Sequence, residues 1–220
     1  GQTCIAPNHV LVEKKSKESL VRAMKKALND LYGEKVLESE NLARIINKSQ
    51  FDRLEALLQG AKKKKQILLG GEIDQDRNMI TPTVIEIQDT NDPLMNEEIF
   101  GPLMPLININ NLESAIQLIQ EQERPLSLYL FGGSPKDQER IIEGTSSGSI
   151  CFNDVVLQAG IPELPFGGIG ASGTGKYHGL SGFEIFSHKK SILERPFWLD
   201  LKFRYPPYKI DTSILKKLLG

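Results

Sequence analysis

The sequence predicts an α/β fold: an open, largely parallel twisted sheet with flanking helices. Three observations carry that expectation. Short β-type runs alternate with helical repeats of about 10–15 residues, the pattern of βαβ units. The 220 residues are 40% hydrophobic and 25% charged with a formal net charge of −1, which suits a soluble globular chain of one large or two small domains. No internal repeat or low-complexity tract interrupts the alternation. The same arithmetic excludes several classes. Two cysteines are too few for a disulfide scaffold, and near-neutral charge argues against a nucleic-acid binder that works by phosphate neutralisation. No apolar run reaches the roughly 20 residues that span a bilayer and no signal-peptide pattern opens the chain, so a reducing, cytoplasmic setting is expected. The first residue is Gly1, and Cys4 arrives before any element could form around it. Such a terminus reads either as a processed one or as the edge of a longer chain.

Residues 17–32 carry Leu20, Val21, Met24, Ala27, Leu28 and Leu31 at spacings of three and four, one apolar stripe on a helix whose other face is Lys-rich. A second helix is predicted after Ser49, with Phe51, Leu54, Leu57 and Leu58 inward and its end at Gly60. The lysines from Lys62 to Lys65 then read as a solvated linker near the carbonyl end of that helix. Strands are predicted over 66–69, 83–87 and 103–109, separated by turns rich in Gly, Asp, Asn and Pro. Leu112, Ala115, Ile116 and Ile119 follow an Asn pair that can cap a helix, and 126–131 reads as a buried strand. Ser134-Pro135 opens a further helix with Ile141 and Ile142 inward, and 149–152 is one more short strand. The region from Gly160 to Gly182 is glycine-dense, which predicts an extended loop that lets backbone approach something closely. After His188 the chain is basic and aromatic, and Pro196, Pro206 and Pro207 argue against one continuous helix.

Three clusters carry residue types suited to chemistry. Cys4 lies in Gly1-Gln2-Thr3-Cys4-Ile5-Ala6-Pro7; it reads as an inert buried thiol or as a nucleophile, and nothing local lowers its pKa except, at some distance, His9. Cys151, in an apolar strand, reads as a structural thiol. The second cluster is Asn96-Glu97-Glu98-Ile99-Phe100-Gly101-Pro102, either an acidic turn or a binding edge. A carboxylate and a ring at i and i+2 of an extended segment point to one side, where they could hold a ribose by its hydroxyls and shelve a flat ring. The third runs from Leu164 to Gly179. Its Gly168-x-Gly170-x-x-Gly173 matches the dinucleotide fingerprint in letters only, because Pro162 and Pro165 precede it and no helix pattern follows directly. His178 in this stretch also reads as an ordinary hydrogen-bonded loop histidine. No metal site is assigned.

Together the clusters resemble one family. Gly-Gln-x-Cys-x-Ala-Pro, then Glu-Glu-Ile-Phe-Gly-Pro, then Pro-Phe-Gly-Gly-x-Gly-x-Ser-Gly look like the catalytic half of an NAD(P)-dependent aldehyde dehydrogenase, and order and spacing agree as well as letters. Tyr177-His178-Gly179, the run from Phe183 to His188, and Arg204-Tyr205-Pro206-Pro207 make it similar to the class 3 branch, which includes fatty and other hydrophobic aldehyde dehydrogenases. The resemblance implies that Cys4 is the nucleophile: its thiolate adds to the aldehyde carbon, hydride leaves to the nicotinamide, and water releases the acid from a thioester, with the Cys4 N–H helping to hold the oxyanion. It implies that Glu98 hydrogen-bonds the nicotinamide ribose and that Phe100 packs beside it, with NAD or NADP as cofactor. Val156, Ala159, Phe166 and His178 would then line the aldehyde tunnel, its apolar lining suited to a long or aromatic aldehyde.

The resemblance further implies a catalytic domain over 1–182, an oligomerisation strand over 183–194 that crosses into a partner subunit to make a homodimer, and an extended tail over 195–220. That tail is basic and aromatic enough to rest on a membrane surface, and no nucleic-acid partner is expected. In this family the general base, the oxyanion-hole asparagine and the domain that binds adenine and pyrophosphate precede the cysteine, so the 220 residues alone are expected to be inactive. Two other readings stay open: a non-catalytic dimerising or binding module derived from the same fold, and a cysteine hydrolase using Cys4 with His9 or His178.

Overall fold

The computed structural model describes residues 1–200, 202–207 and 212–219, and the chain divides into two units, 1–186 and 187–220. In chain order the first unit holds β1 (Val10–Glu13), α1 (Lys17–Tyr32), α2 (Lys48–Lys63), β2 (Ile67–Leu69), β3 (Ile73–Asp74), β4 (Met79–Ile80), β5 (Thr83–Ile87), β6 (Leu103–Ile109), α3 (Leu112–Glu121), β7 (Ser127–Leu130), α4 (Pro135–Gly144), β8 (Ser149–Phe152) and α5 (Gly179–Ile185). Four strands make the main sheet in the order β1-β6-β5-β2, parallel at β1–β6 and β5–β6 and antiparallel at β2–β5.

Both faces of that sheet are covered. Phe51, Leu54 and Leu58 of α2, all fully buried, pack with Ile85, Ile87, Leu103 and Ile107 on one face. Leu20, Val21 and Met24 of α1 pack on Val12, Val84 and Leu106 on the other. A strand buried on both faces has no polar side to show, which is why β5 and β6 read as nearly unbroken apolar runs. α2 begins at Asn47, whose side-chain oxygen accepts the Gln50 N–H at 2.9 Å. It runs past Gly60, where the sequence predicts its end. Ala61, only 3% exposed, continues the buried stripe of Phe51, Leu54 and Leu58. That packing outweighs the cost of an interior glycine, about 1 kcal/mol.

β7 and β8 form a separate parallel pair bridged by α4, a βαβ unit. Here the expected burial is only half realised. Leu128 and Ile141 are buried, but Phe131 is 64% and Ile142 55% exposed. A pair of strands with a single helix against it has too little cover to bury both flanks. β3 and β4 form a small hairpin.

The glycine-dense segment is more compact than an extended loop. It contains a short 3-10 turn over Gly170–Ser172, an antiparallel bridge between Phe166 and Tyr177, and the start of α5. A Cβ on Gly167 would collide with the Gly175 carbonyl, and one on Gly148 with the carbonyls of Gly167 and Leu126, so the loop crosses itself and seats against the start of β8 backbone to backbone.

The strand expected over 183–194 does not form within the chain. Residues 183–185 close α5, and 186–194 carry no regular structure, because a strand needs a ladder partner and none is found among the described residues. In the second unit, a 3-10 turn spans Lys202–Arg204 and α6 spans Thr212–Leu219, after the two prolines. Arg195 pairs with Asp200 at 3.5 Å, Asp200 accepts the Tyr205 hydroxyl at 3.2 Å, and Phe197 and Trp198 are exposed. Tyr208 lies outside the described residues. Among the described residues no helix is long and apolar enough to cross a membrane.

Candidate active site

Cys4 sits in a turn closed by the Ala6 N–H on the Thr3 carbonyl at 3.1 Å, ahead of β1. Its thiol is free and exposed, not buried. The turn is shallow because only Ile5 is buried beneath it. Among the described residues the Cys4 N–H has no intramolecular acceptor, which leaves it available to a ligand. Gln2 fixes the approach to the turn, donating to the Arg44 carbonyl at 2.9 Å and accepting the Ile46 N–H at 3.0 Å. His9 follows the turn. Burial holds its pKa below the usual histidine value, and its Nδ1 has no partner.

Four residues on from the cysteine, Asn8 reaches across to the second cluster. Its Oδ1 accepts the Ile99 N–H at 2.8 Å, while the Arg53 guanidinium of α2 donates to the Ile99 carbonyl at 2.5 Å and to Glu97 at 3.2 Å. Ile99 itself is 1% exposed. With both backbone groups and the side chain of Ile99 pinned, Glu98 and Phe100 are left outward on either side of it. The segment is not the extended strand that the i, i+2 argument assumes. Phe100 has φ +49°, a left-handed conformation that costs a bulky residue about 1–2 kcal/mol. The chain must turn there at once to enter Gly101, whose missing Cβ makes room for Leu54. An outward carboxylate and an exposed ring thus stand side by side at this edge.

Val156 is strained as well. It has φ +68° and ψ −35°, the Leu157 N–H bonds to the Val155 carbonyl across it at 2.7 Å, and it is 43% exposed. That is a γ-turn of the rarer hand, centred on a β-branched residue. Ala159, in the following 3-10 turn, is half-buried. Phe166, Tyr177 and His178 form an aromatic cluster: Phe166 stacks on His178 at 5.8 Å, and Tyr177 meets both rings edge-on at 5.7 and 4.5 Å. His178 is therefore a packed ring, with an unpartnered Nδ1 and a positive φ of +80°, not a hydrogen-bonded loop histidine. Cys151, half-buried in β8, lies opposite Tyr129 of β7.

The structure thus ties the Cys4 turn to the Glu98–Phe100 segment through Asn8, and to Val156 through the Tyr129 hydroxyl, which donates to the Ile5 carbonyl at 2.6 Å and accepts the Val156 N–H at 3.3 Å. Among the described residues no hydrogen bond ties the aromatic cluster to Cys4. Asn8, Arg53, Tyr129 and Gln158 escape sequence reading, since their roles rest on partners far along the chain. A cleft of about 330 Å³ lies between α2 and the 92–97 turn, lined in part by Arg53 and Glu97, and one of about 610 Å³ lies at the ends of α3 and α4.

A fold of this kind with an exposed cysteine turn locked to an acidic-aromatic edge has well-defined relatives. The aldehyde dehydrogenase family model matches residues 1–192, so the chain belongs to the aldehyde dehydrogenase family. It is 43% identical over 209 residues to aldehyde dehydrogenase family 3 member A2 of Rattus norvegicus, covering 94% of this chain and 42% of that protein. It is also 43% identical over 209 residues to the dimeric NADP-preferring aldehyde dehydrogenase of Canis lupus familiaris, covering 94% of this chain and 45% of that one. Both place it with the class 3 branch. The substrate-bound structure of Staphylococcus aureus AldH superposes with a TM-score of 0.84 at 37% identity, over 100% of this chain and 48% of that one. The chain spans less than half the length of each of these three.

Proposed function

We propose that the chain carries the nucleophile, the nicotinamide-ribose edge and the aldehyde-facing wall of an NAD(P)-dependent dehydrogenase that oxidises hydrophobic aldehydes to carboxylic acids. One observation supports this above the rest: the Cys4 turn is hydrogen-bonded to both other elements, through Asn8 to the backbone between Glu98 and Phe100 and through Tyr129 to Val156. The relatives' names agree with it. Cys4, as thiolate, forms the C–S bond with the aldehyde carbon while the carbonyl electron pair moves to oxygen. The free Cys4 N–H donates to that oxygen, a bond that strengthens as charge develops. Glu98 and Phe100 hold the ribose and flat ring of NAD or NADP, which when bound supplies the hydride acceptor. Val156, Ala159, Phe166 and His178 line the substrate side and, being apolar or aromatic, favour a long or aromatic aldehyde. Water then releases the acyl group from the Cys4 sulfur as the acid.

The domain over 1–182 carries this site, and residues 183–194 form a strand only against a partner subunit, with 183–185 leaving α5 to do so. The exposure of Leu180, Phe183 and Phe186, and the word dimeric in the dog relative's name, support a homodimer. Exposed Phe197 and Trp198 with the lysines of α6 support peripheral membrane contact by the tail over 195–220.

The general base and the adenine site implied by the resemblance lie outside the matched half of the relatives. The 220 residues alone are therefore expected to give no aldehyde-dependent cofactor reduction, whereas the same chain joined behind the cysteine-preceding portion of the rat relative is expected to give it. Cofactor reduction by the chain alone, at a rate near that of the joined protein, would overturn this reading.

A further inference from the structure

We propose that Tyr129 is a positioning residue that makes the Cys4 turn and the Val156 turn move as one unit. The inference rests on the assignment of Cys4 and Val156 above and adds a residue to it. A phenol offers one donor and two acceptor sites, and Tyr129 uses all three: it donates to the Ile5 carbonyl at 2.6 Å and accepts from the Val156 N–H at 3.3 Å and from Gln158 Nε2 at 3.1 Å. The hydroxyl is itself held from beneath. Gln158 is 8% exposed, and its Nε2 also reaches Ser127 at 3.3 Å and Ser149 at 3.4 Å, whose hydroxyls bond each other at 2.9 Å. Tyr129 lies in β7, Ser127 and Ser149 begin β7 and β8, and Gln158 comes from the turn that follows Val156, so the phenol oxygen is set by the sheet together with that turn.

Those loops need such an anchor. The residue after the nucleophile and the amide of Val156 bond to one oxygen, and among the described residues no hydrogen bond joins the two loops directly. Val156 also holds a positive φ that a β-branched residue leaves when released. Removing the phenol oxygen leaves the Ile5 carbonyl and the Val156 N–H without partners at the same time. The nucleophile's sulfur and the aldehyde wall then lose their common reference, although neither is touched by the substitution.

The test is hydrogen exchange read by mass spectrometry on the 220-residue chain, the Tyr129→Phe variant and the Val156→Gly variant, with iodoacetamide labelling of both cysteines. Tyr129→Phe is expected to speed exchange about tenfold or more in both 3–8 and 153–160 while α2 stays protected. It is also expected to raise Cys4 labelling about threefold or more with Cys151 unchanged. Cys151 pairs with Tyr129 in the β7–β8 register, so a general loosening of the sheet would expose it too. Val156→Gly, which frees its turn, is expected to speed exchange in 3–8 on its own and to add nothing there once the Tyr129 hydroxyl is gone. A response of one segment without the other, equal gains at both cysteines, or no effect of Val156→Gly on 3–8 would each overturn the coupling. If Tyr129→Phe also strips protection from α2, the Val156→Gly result alone decides. Preference of the parent chain for labelling Cys4 over Cys151 tests the assignment of the nucleophile separately, and does not depend on the exchange data.

Discussion

Ile99 has no reactive group, yet its two backbone bonds decide where Glu98 and Phe100 stand. Asn8→Ala leaves the Ile99 N–H without its acceptor in a part-buried place, and is expected to lower stability by about 1–2 kcal/mol in a urea titration. A variant as stable as the parent would mean that water replaces Asn8 there. Glu86 gives a second check at this scale. Lys17 donates to its carboxylate at 2.7 Å and Asn108 at 2.6 Å, and the Lys17 bond is the main reason its pKa lies below the usual carboxylate value. A carboxyl with a depressed folded pKa stabilises fully above its unfolded pKa, and loses that contribution as pH falls through the folded value. Glu86→Gln is therefore expected to be less stable than the parent at neutral pH, with the gap closing as pH falls below about 4. A gap that stays constant with pH would contradict the ion pair.

At the scale of elements, α2 and the acidic-aromatic turn meet closely beneath the site. A Cβ on Gly101 would lie 2.5 Å from a terminal methyl of Leu54, which is fully buried. Gly101→Ala is expected to cost about 1–3 kcal/mol through overpacking, and Leu54→Ala about 2–5 kcal/mol through the cavity it leaves. The double variant should lose less than the sum, because the new methyl enters space that Leu54 vacates. Strict additivity in denaturant titrations would show that the turn shifts instead. Elements with local signals were legible in the sequence: the stripe of α1, the caps of α3 and α4, and the runs of β5, β6 and β8 lie where period and turn residues place them. β1 and the β3–β4 hairpin were not. Val10–Glu13 is a strand because β6, nearly a hundred residues away, pairs with it, and two-residue strands carry no period at all. The end of α2 was misplaced for a related reason, since Gly60 is a local stop signal that the burial of Ala61 overrides.

For the whole molecule, the residues proposed to carry the chemistry stand out in the sequence through motifs, but the way they are held together does not. Cys4, Glu98 and Phe100 stand out through their neighbours in sequence. Tyr129 meets the Cys4 turn across 124 positions and Asn8 meets Ile99 across 91, and nothing in the letters announces either contact. Motif spacing also suggested an extended edge at Phe100, where the backbone turns left-handed, because packing against α2 is invisible to a two-residue period. The role proposed for Cys4 is that of nucleophile in an aldehyde-oxidising enzyme. It is tested most directly by aldehyde-dependent reduction of NAD or NADP in the chain joined behind the cysteine-preceding portion of the rat relative, comparing Cys4→Ser with Cys151→Ser. Cys4→Ser is expected to lose about a thousandfold or more of the rate, with Cys151→Ser close to the parent. A Cys4→Ser protein that keeps its rate would contradict it.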